Sequence, residues 1–180
     1  YRAMGVGLAQ AINAFKATTE AAGIPNTQDG VNKIVEAFRR LPASIEVLQQ
    51  FRANDRTKLE IADERDLQDF VEAVLKCLAA DVRKEEYSPS QAGASSRIDF
   101  YLPELECAIE LKYVKEAPVD SKVGGELNID YQRYGARPNL KHMIFYIYNP
   151  NRCIRNPVGL ERDLTRIVSG ISLQTVVSPQ

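Results

Sequence analysis

The chain has 180 residues, 44% of them apolar and 26% charged, with a net charge of −1 at neutral pH. That length suits one full-sized domain, or a domain with a helical appendage, and excludes a mini-protein that depends on disulfide staples. No stretch approaches the roughly 18 uncharged apolar residues of a membrane span, so a soluble chain with no membrane partner is expected.

Charge is unevenly placed. Residues 1–58 carry a balance of +3 and residues 59–180 a balance of −4. Within the second part, 60–110 is acidic at −8, whereas 133–166 is basic at +5. An acidic segment followed by a basic one is compatible with metal ligands beside a polyanion-binding surface. The three cysteines, Cys77, Cys107 and Cys153, show no C-x-x-C spacing. They fit a reducing, cytoplasmic setting with thiols used as small apolar side chains. The opening "YRAMGVGLAQ" has no basic segment followed by a long apolar run, so no signal peptide is expected and the chain reads as a fragment or an excised domain.

Residues 3–22 place Val6, Ala9, Ile12 and Phe15 at helical spacing before Gly23 and Pro25. "TQDGVNKIVEAFRRLP" and "PASIEVLQQFRAN" predict two further helices, with Val31, Ile34 and Phe38 on the first and Ile45, Leu48 and Phe51 on the second. Residues 1–58 are therefore expected to form a helical N-terminal domain or a partner-binding segment, and 59–180 a second domain. "DERDLQDFVEAVLKCLAADV" predicts an amphipathic helix with acids clustered in its first turns, where they suit the dipole. The period then shortens to that of strands in "VRKEEY", "RIDFYL" and "CAIELKYV". "GGELNIDYQRYGAR" reads as helix, "KHMIFYIYN" as a central strand, "NPVGLERDLTRIV" as a helix opened by Pro157, and "ISLQTVV" as a last strand. The order implies an α/β (α+β) chain with a mixed β-sheet flanked by helices.

The two strands around Pro103 carry charge in apolar surroundings. Alternation sends Glu110 and Lys112 to one face of their strand and Ile109, Leu111 and Tyr113 to the other. Asp99 shares the face of Glu110 only if paired residue numbers in the hairpin sum to an odd value such as 209, which a two- or four-residue turn around Pro103–Glu106 supplies. Two carboxylates and an ammonium gathered there form a cation site of the kind that suits Mg²⁺ or Mn²⁺ rather than zinc. With 24 acids and 23 bases in 180 positions, roughly three acid-x-base tripeptides arise by chance, so the tripeptide alone carries little. Asp120-Ser121-Lys122, in a polar loop after Pro118, is such a decoy.

Taken together, "RKEEYSPSQAGASSRIDFYLPELECAIELKYVKE" and "GGELNIDYQRYGARPNLKHMIFYIYNPNRCIRNPVGLERDL" resemble the PD-(D/E)XK nuclease superfamily, specifically the C-terminal domain of DpnII/MboI-type restriction endonucleases. The resemblance spans about residues 64–166. It implies a restriction-endonuclease-like fold in which Asp99 matches the first motif acid, Glu110 the second and Lys112 the motif lysine. Similar proteins tend to show Gly-Glu-Gln-Leu at the start of the following helix, where this chain has Gly124-Gly125-Glu126-Leu127, with Asp130 and Tyr134 further along. The implied activity is metal-assisted hydrolysis of DNA phosphodiester bonds in bacterial restriction or anti-phage defence. Asp99 and Glu110 would hold Mg²⁺ or Mn²⁺, and Lys112 would orient water or stabilise developing charge.

Around that set, Glu64, Asp69 or Glu72 on the preceding helix, Glu85 on the first strand and Glu126 are accessory candidates. Ser95, Ser96, Arg97, Arg152 and Arg155 are candidates for phosphate contact, with Arg162 and Arg166 behind them. His142, the only histidine, is expected to be structural, and Tyr146 and Tyr148 to pack rather than to stack on bases. The partners implied are DNA, a second copy of the chain because a duplex has two strands to cut, and a protein bound through residues 1–58. A silent or activator-dependent assembly module and an RNA-directed nuclease are the alternatives.

Overall fold

A computed structural model describes residues 27–50, 60–87, 97–116 and 137–180, and positions 124, 125, 127, 129, 131 and 134 between them. The helix expected at 3–22, the 58/59 boundary, Ser95, Ser96, Asp120 to Lys122, Glu126 and Asp130 lie outside the described residues.

Helix α1 (Thr27–Gln49) buries Val31, Ile34, Phe38, Leu41 and Ile45. Two helices were expected here, with Pro42 beginning the second, but one helix runs through the proline. A proline inside a helix has no N–H to give the carbonyl four residues back. That carbonyl belongs to Phe38, and Ser178 Oγ donates to it at 3.1 Å from the last strand. The Ser178 hydroxyl also lies 3.0 Å from the hydroxyl of Tyr146, whose ring centroid is 4.8 Å from that of Phe38. Tertiary packing thus replaces the bond that the proline removes, and the helix continues.

Helix α2 (Glu64–Leu78) is started by Asp63, whose carboxylate accepts from the amides of Arg65 and Asp66, while Asp66 accepts in return from the amide of Ala62. Reciprocal caps of this type satisfy donors that the first turn leaves unpaired. The buried face of α2 is Leu67, Val71 and Leu75.

Six strands follow: β1 (Arg83–Tyr87), β2 (Arg97–Leu102), β3 (Cys107–Tyr113), β4 (His142–Tyr148), β5 (Arg166–Val168) and β6 (Ile171–Ser178). Helix α3 (Pro157–Leu164) lies between β4 and β5. It ends earlier than its sequence suggests, because Thr165 onward is extended and 166–168 pairs antiparallel with β6. The described positions between 124 and 134 are helical. All strands join one mixed sheet in the order β1-β2-β3-β4-β6-β5. β3, β4 and β6 are parallel neighbours, and the other pairs are antiparallel. β4 is buried along its whole length, as an interior strand with both faces covered should be.

One core joins α1 and α2 to Phe100, Leu102, Cys107, Ile109, Leu111, Tyr146 and Val176. A second, on the opposite face, joins Ala108, Met143, Phe145, Ile147, Leu173 and Val177 to Leu127, Tyr134 and Leu164. Burial pushes the Cys107 thiol up in pKa, so it acts there as an apolar side chain. Phe145, Tyr146 and Tyr148 are all core residues. Among the described residues, no helix is long and apolar enough to cross a membrane.

Where β5 ends, the outer edge of β6 is closed by side chains. Thr175 N–H donates to Thr165 Oγ1 at 3.0 Å, and Val177 N–H donates to Glu161 Oε1 at 2.7 Å. Glu161 also receives a two-pronged contact from Arg39 at 3.0 and 3.1 Å, which fastens α1 to α3.

Two stability measurements check this account. Ser178→Ala leaves the Phe38 carbonyl buried without its donor and should cost about 1–3 kcal/mol in chemical denaturation. Pro42→Ala should then gain more in the Ser178→Ala background than in the wild type, since the alanine amide restores a donor. His142 opens β4, is buried, and has its pKa lowered mainly by desolvation, with Lys141 lowering it further and Glu106 opposing. A base with a depressed native pKa takes its proton more readily when unfolded, so stability holds above about pH 6.5 and falls on the acid side. His142→Asn should flatten the acid limb of a melting-temperature profile between about pH 6.5 and 5.

Candidate active site

β2 and β3 pair as Phe100↔Ile109, Tyr101↔Ala108 and Leu102↔Cys107, each pair summing to 209. The four residues Pro103–Glu106 make the turn, a single 3₁₀ turn closed by Glu106 in the left-handed region at φ 47°. The register is the odd-sum one, and its last pair is Phe100↔Ile109, one step short of Asp99 and Glu110.

At that step the two strands part. The ladder stops at Phe100↔Ile109, and Ile98 packs into the second core although Phe100, two residues on, packs into the first. A regular strand would send both to one face, so β2 turns over at Asp99. β1 registers the same break: Lys84↔Phe100 and Glu86↔Ile98 pair, and the pair between them, Glu85 with Asp99, is missing. Glu85 sits there with φ 51°, an uncommon conformation for a residue with a side chain.

The parting leaves the N–H groups of Leu111 and Tyr113 without acceptors from β2, and carboxylates take the place of the strand. Leu111 N–H donates to Asp99 Oδ2 at 2.7 Å, and Tyr113 N–H donates to Glu64 Oε2 at 3.2 Å. The second oxygen of Asp99 accepts from Gln68 Nε2 at 2.8 Å. Glu64 and Gln68 are four residues apart, so they stand one above the other on α2 and meet the gap together. The Tyr113 hydroxyl donates to the carbonyl of Ile61 at 3.1 Å and pins the start of α2 to the end of β3. Burial and the nearby Asp63 and Asp66 raise the pKa of that phenol, which keeps it a donor.

Glu110 and Lys112 extend from the even-numbered face of β3. The Glu110 side chain is 7% exposed and that of Lys112 is 20% exposed, with Nζ 3.5 Å from Oε1. Asp99 and Glu64 thus bond the backbone of β3 at Leu111 and Tyr113, and Glu110 and Lys112 are side chains of the same strand.

The other two helix acids go elsewhere. Lys84 of β1 binds Asp69 at 2.6 Å and Glu72 at 3.2 Å, and Glu72 also holds Lys76 at 2.6 Å. The hydrogen bond from Lys84 lowers the Asp69 pKa, and that from Lys76 leads in lowering that of Glu72. Their charges are engaged in a clasp between α2 and β1. Glu85 is exposed and pairs with Arg97 at 3.1 Å. Arg152 and Arg155 are exposed in the turn after β4, which is tied to the end of β3 by Asn151 Nδ2 donating to the Lys115 carbonyl. Because β3 and β4 are parallel, this turn opens at the same sheet end as Lys112 and Tyr113. Arg162 pairs with Asp163, and Arg166 is exposed on β5. His142 is opposite Cys107 at the other end of the parallel pair, remote from Lys112. Tyr134 donates its hydroxyl to the Arg97 carbonyl, joining the last of the helical positions described before 137 to the start of β2.

The sequence reading did not single out Gln68. Its signal was the i, i+4 relation to Glu64 on the polar face of an amphipathic helix.

Among the described residues, no group of three or more His, Cys, Asp or Glu side chains is placed to hold a metal ion. Asp99 and Glu110 are nonetheless of the donor type that Mg²⁺ or Mn²⁺ takes, since Mg²⁺ commonly uses one or two protein carboxylates and completes its shell with water and phosphate oxygens.

The model of the DpnII-MboI restriction endonuclease family (REase_DpnII-MboI) matches residues 31–180. No curated protein and no solved structure matches the chain. The match takes in most of α1 together with α2, the whole sheet and the parted hairpin, and on it the chain belongs to the DpnII-MboI family of restriction endonucleases.

Proposed function

We propose that this chain is a divalent-metal-dependent endonuclease that hydrolyses DNA phosphodiester bonds, working in the cytoplasm in bacterial restriction or defence against phage. What supports this reading is that Asp99 accepts from Leu111 N–H at the parted edge of β3, the strand that bears Glu110 and Lys112. Asp99 and Glu110 would hold Mg²⁺ or Mn²⁺, which when bound activates a water and polarises the scissile phosphate. Lys112 contributes a mobile ammonium that hydrogen-bonds the phosphoryl oxygens as charge grows on them. Glu64, one turn before Gln68, fixes the end of β3 by accepting from Tyr113 N–H and so holds Lys112 in register with Glu110. Arg152 and Arg155, exposed at the same end of the sheet, supply backbone-phosphate contacts, and Arg97 offers a further one beside β2. Cutting both strands of a duplex calls for two such sites, supplied by two copies of the chain.

The test is cleavage of supercoiled plasmid, linear duplex, single-stranded DNA and RNA in Mg²⁺, Mn²⁺ or EDTA. Duplex cleavage that EDTA abolishes is expected, and Asp99→Asn, Glu110→Gln and Lys112→Ala should each lower it about 100-fold or more with the melting profile retained. A folded wild type that cuts nothing sinks the reading in favour of an assembly module, and cleavage confined to RNA moves the substrate. Arg152→Ala and Arg155→Ala should weaken duplex binding across sequences and each lower the slope of log affinity against log salt by about 1.

A further inference from the structure

We propose that Gln68 is a positioning residue for this site, holding the Asp99 carboxylate in place through its side-chain amide. The inference rests on the reading of Asp99 as a cation-holding acid and adds the group that sets its orientation.

Asp99 occupies the one position of β2 where the strand is missing from both of its ladders. Its pair with Glu85 is absent on one side, and the β2–β3 ladder stops one residue short of it on the other. Side-chain bonds therefore do more to orient it than they would in a continuous strand. One oxygen accepts from Leu111 N–H, and the other accepts from Gln68 Nε2 at 2.8 Å. The carboxylate only accepts, so the amide must turn its NH₂ toward it, and the direction of the bond is fixed.

The support behind Gln68 is rigid. It sits one turn after Glu64 on α2, whose start is fastened to β3 by both the amide and the hydroxyl of Tyr113. A neutral donor is also the right chemistry for the task. A lysine or arginine here would offset the carboxylate's charge, whereas an amide orients the group and leaves its full charge for a cation.

Gln68 also lines a polar cavity of about 480 Å³ with Arg65, Asp69, Lys84 and Glu85. Shortening or recharging the side chain opens onto this wet space rather than onto packed core. Substitution at Gln68 therefore probes the bond to Asp99 with little disturbance of packing.

The experiment measures Mn²⁺ binding to the full chain without DNA, by the loss of the free-ion electron paramagnetic resonance signal, beside the metal dependence of duplex cleavage. Gln68→Met keeps the length and removes the donor. It should weaken Mn²⁺ binding about 10–100-fold, with cleavage restored by excess Mn²⁺ and the melting temperature unchanged. Gln68→Glu sets a second carboxylate against Asp99, so the two share a proton. Its Mn²⁺ binding should shift to higher pH by about one unit or more, a change that a packing role would not produce. Wild-type Mn²⁺ affinity and pH dependence in both variants, with Asp99→Asn impaired, overturns the role of Gln68 and leaves the site standing. Wild-type affinity in Asp99→Asn itself overturns the site and the inference together.

Discussion

The parting of β2 from β3 after Phe100 and Ile109 is the constraint on which the rest of the site depends. A backbone N–H taken from water and left without an acceptor costs about 1–3 kcal/mol, so a strand cannot simply lose its neighbour. β3 continues for four residues after the ladder ends, and two of its amides facing the gap, Leu111 and Tyr113, are answered by Asp99 and Glu64. The hydrogen-bond accounting of the sheet thus calls for acceptors at the opening, and here two carboxylates supply them. Because a carboxylate has more lone pairs than one amide uses, acids recruited for structure remain able to accept from, or coordinate, something else. The clamp of α2 on Tyr113 then fixes the width of the gap.

The far edge of the sheet uses the same device for a different end. There Thr165 and Glu161 take the amides of Thr175 and Val177, and Glu161 spends its remaining capacity on Arg39. An acid at a strand edge is therefore no sign of chemistry by itself. Where its spare lone pairs meet an arginine, as at Glu161, it is a fastener; Glu110, buried on β3, instead has a lysine of its own strand at 3.5 Å. The clasp of Lys84 with Asp69 and Glu72 falls in the first class and holds β1 against α2.

Helix α1 shows how far tertiary context overrides local preference. Pro42 is a stop signal by propensity, yet Ser178, 136 positions further along the chain, donates to the carbonyl that the proline abandons. The helix consequently shares the core of α2 and the sheet, and the family match already includes residue 31. At the other end of the chain the helical pattern of "ERDLTRIV" is cut at Thr165, because pairing with β6 offers Arg166–Val168 hydrogen bonds that a lone last turn does not.

Alternation in "RIDFYL" and "CAIELKYV" marked both strands, and the four residues between them turn in the odd-sum register that the placement of the acids calls for. The uninterrupted apolar run of "HMIFYIY" marked an interior strand. These features are local, because strand period and turn length are properties of neighbouring residues. The break in β2, the left-handed Glu85, the bond of Glu64 to β3 and the pairing of Asp69 and Glu72 with Lys84 were decided by contacts between residues far apart in the chain. Gln68 reaches Asp99 across 31 positions and Glu64 reaches Tyr113 across 49. Periodicity shows that such side chains share a helix face, but what they face depends on how the helix lies on the sheet. The sequence by itself therefore determined that Glu110 and Lys112 share a strand face, because strand period is local, and the tertiary structure decided where β2 parts from β3 and which groups meet Asp99 there.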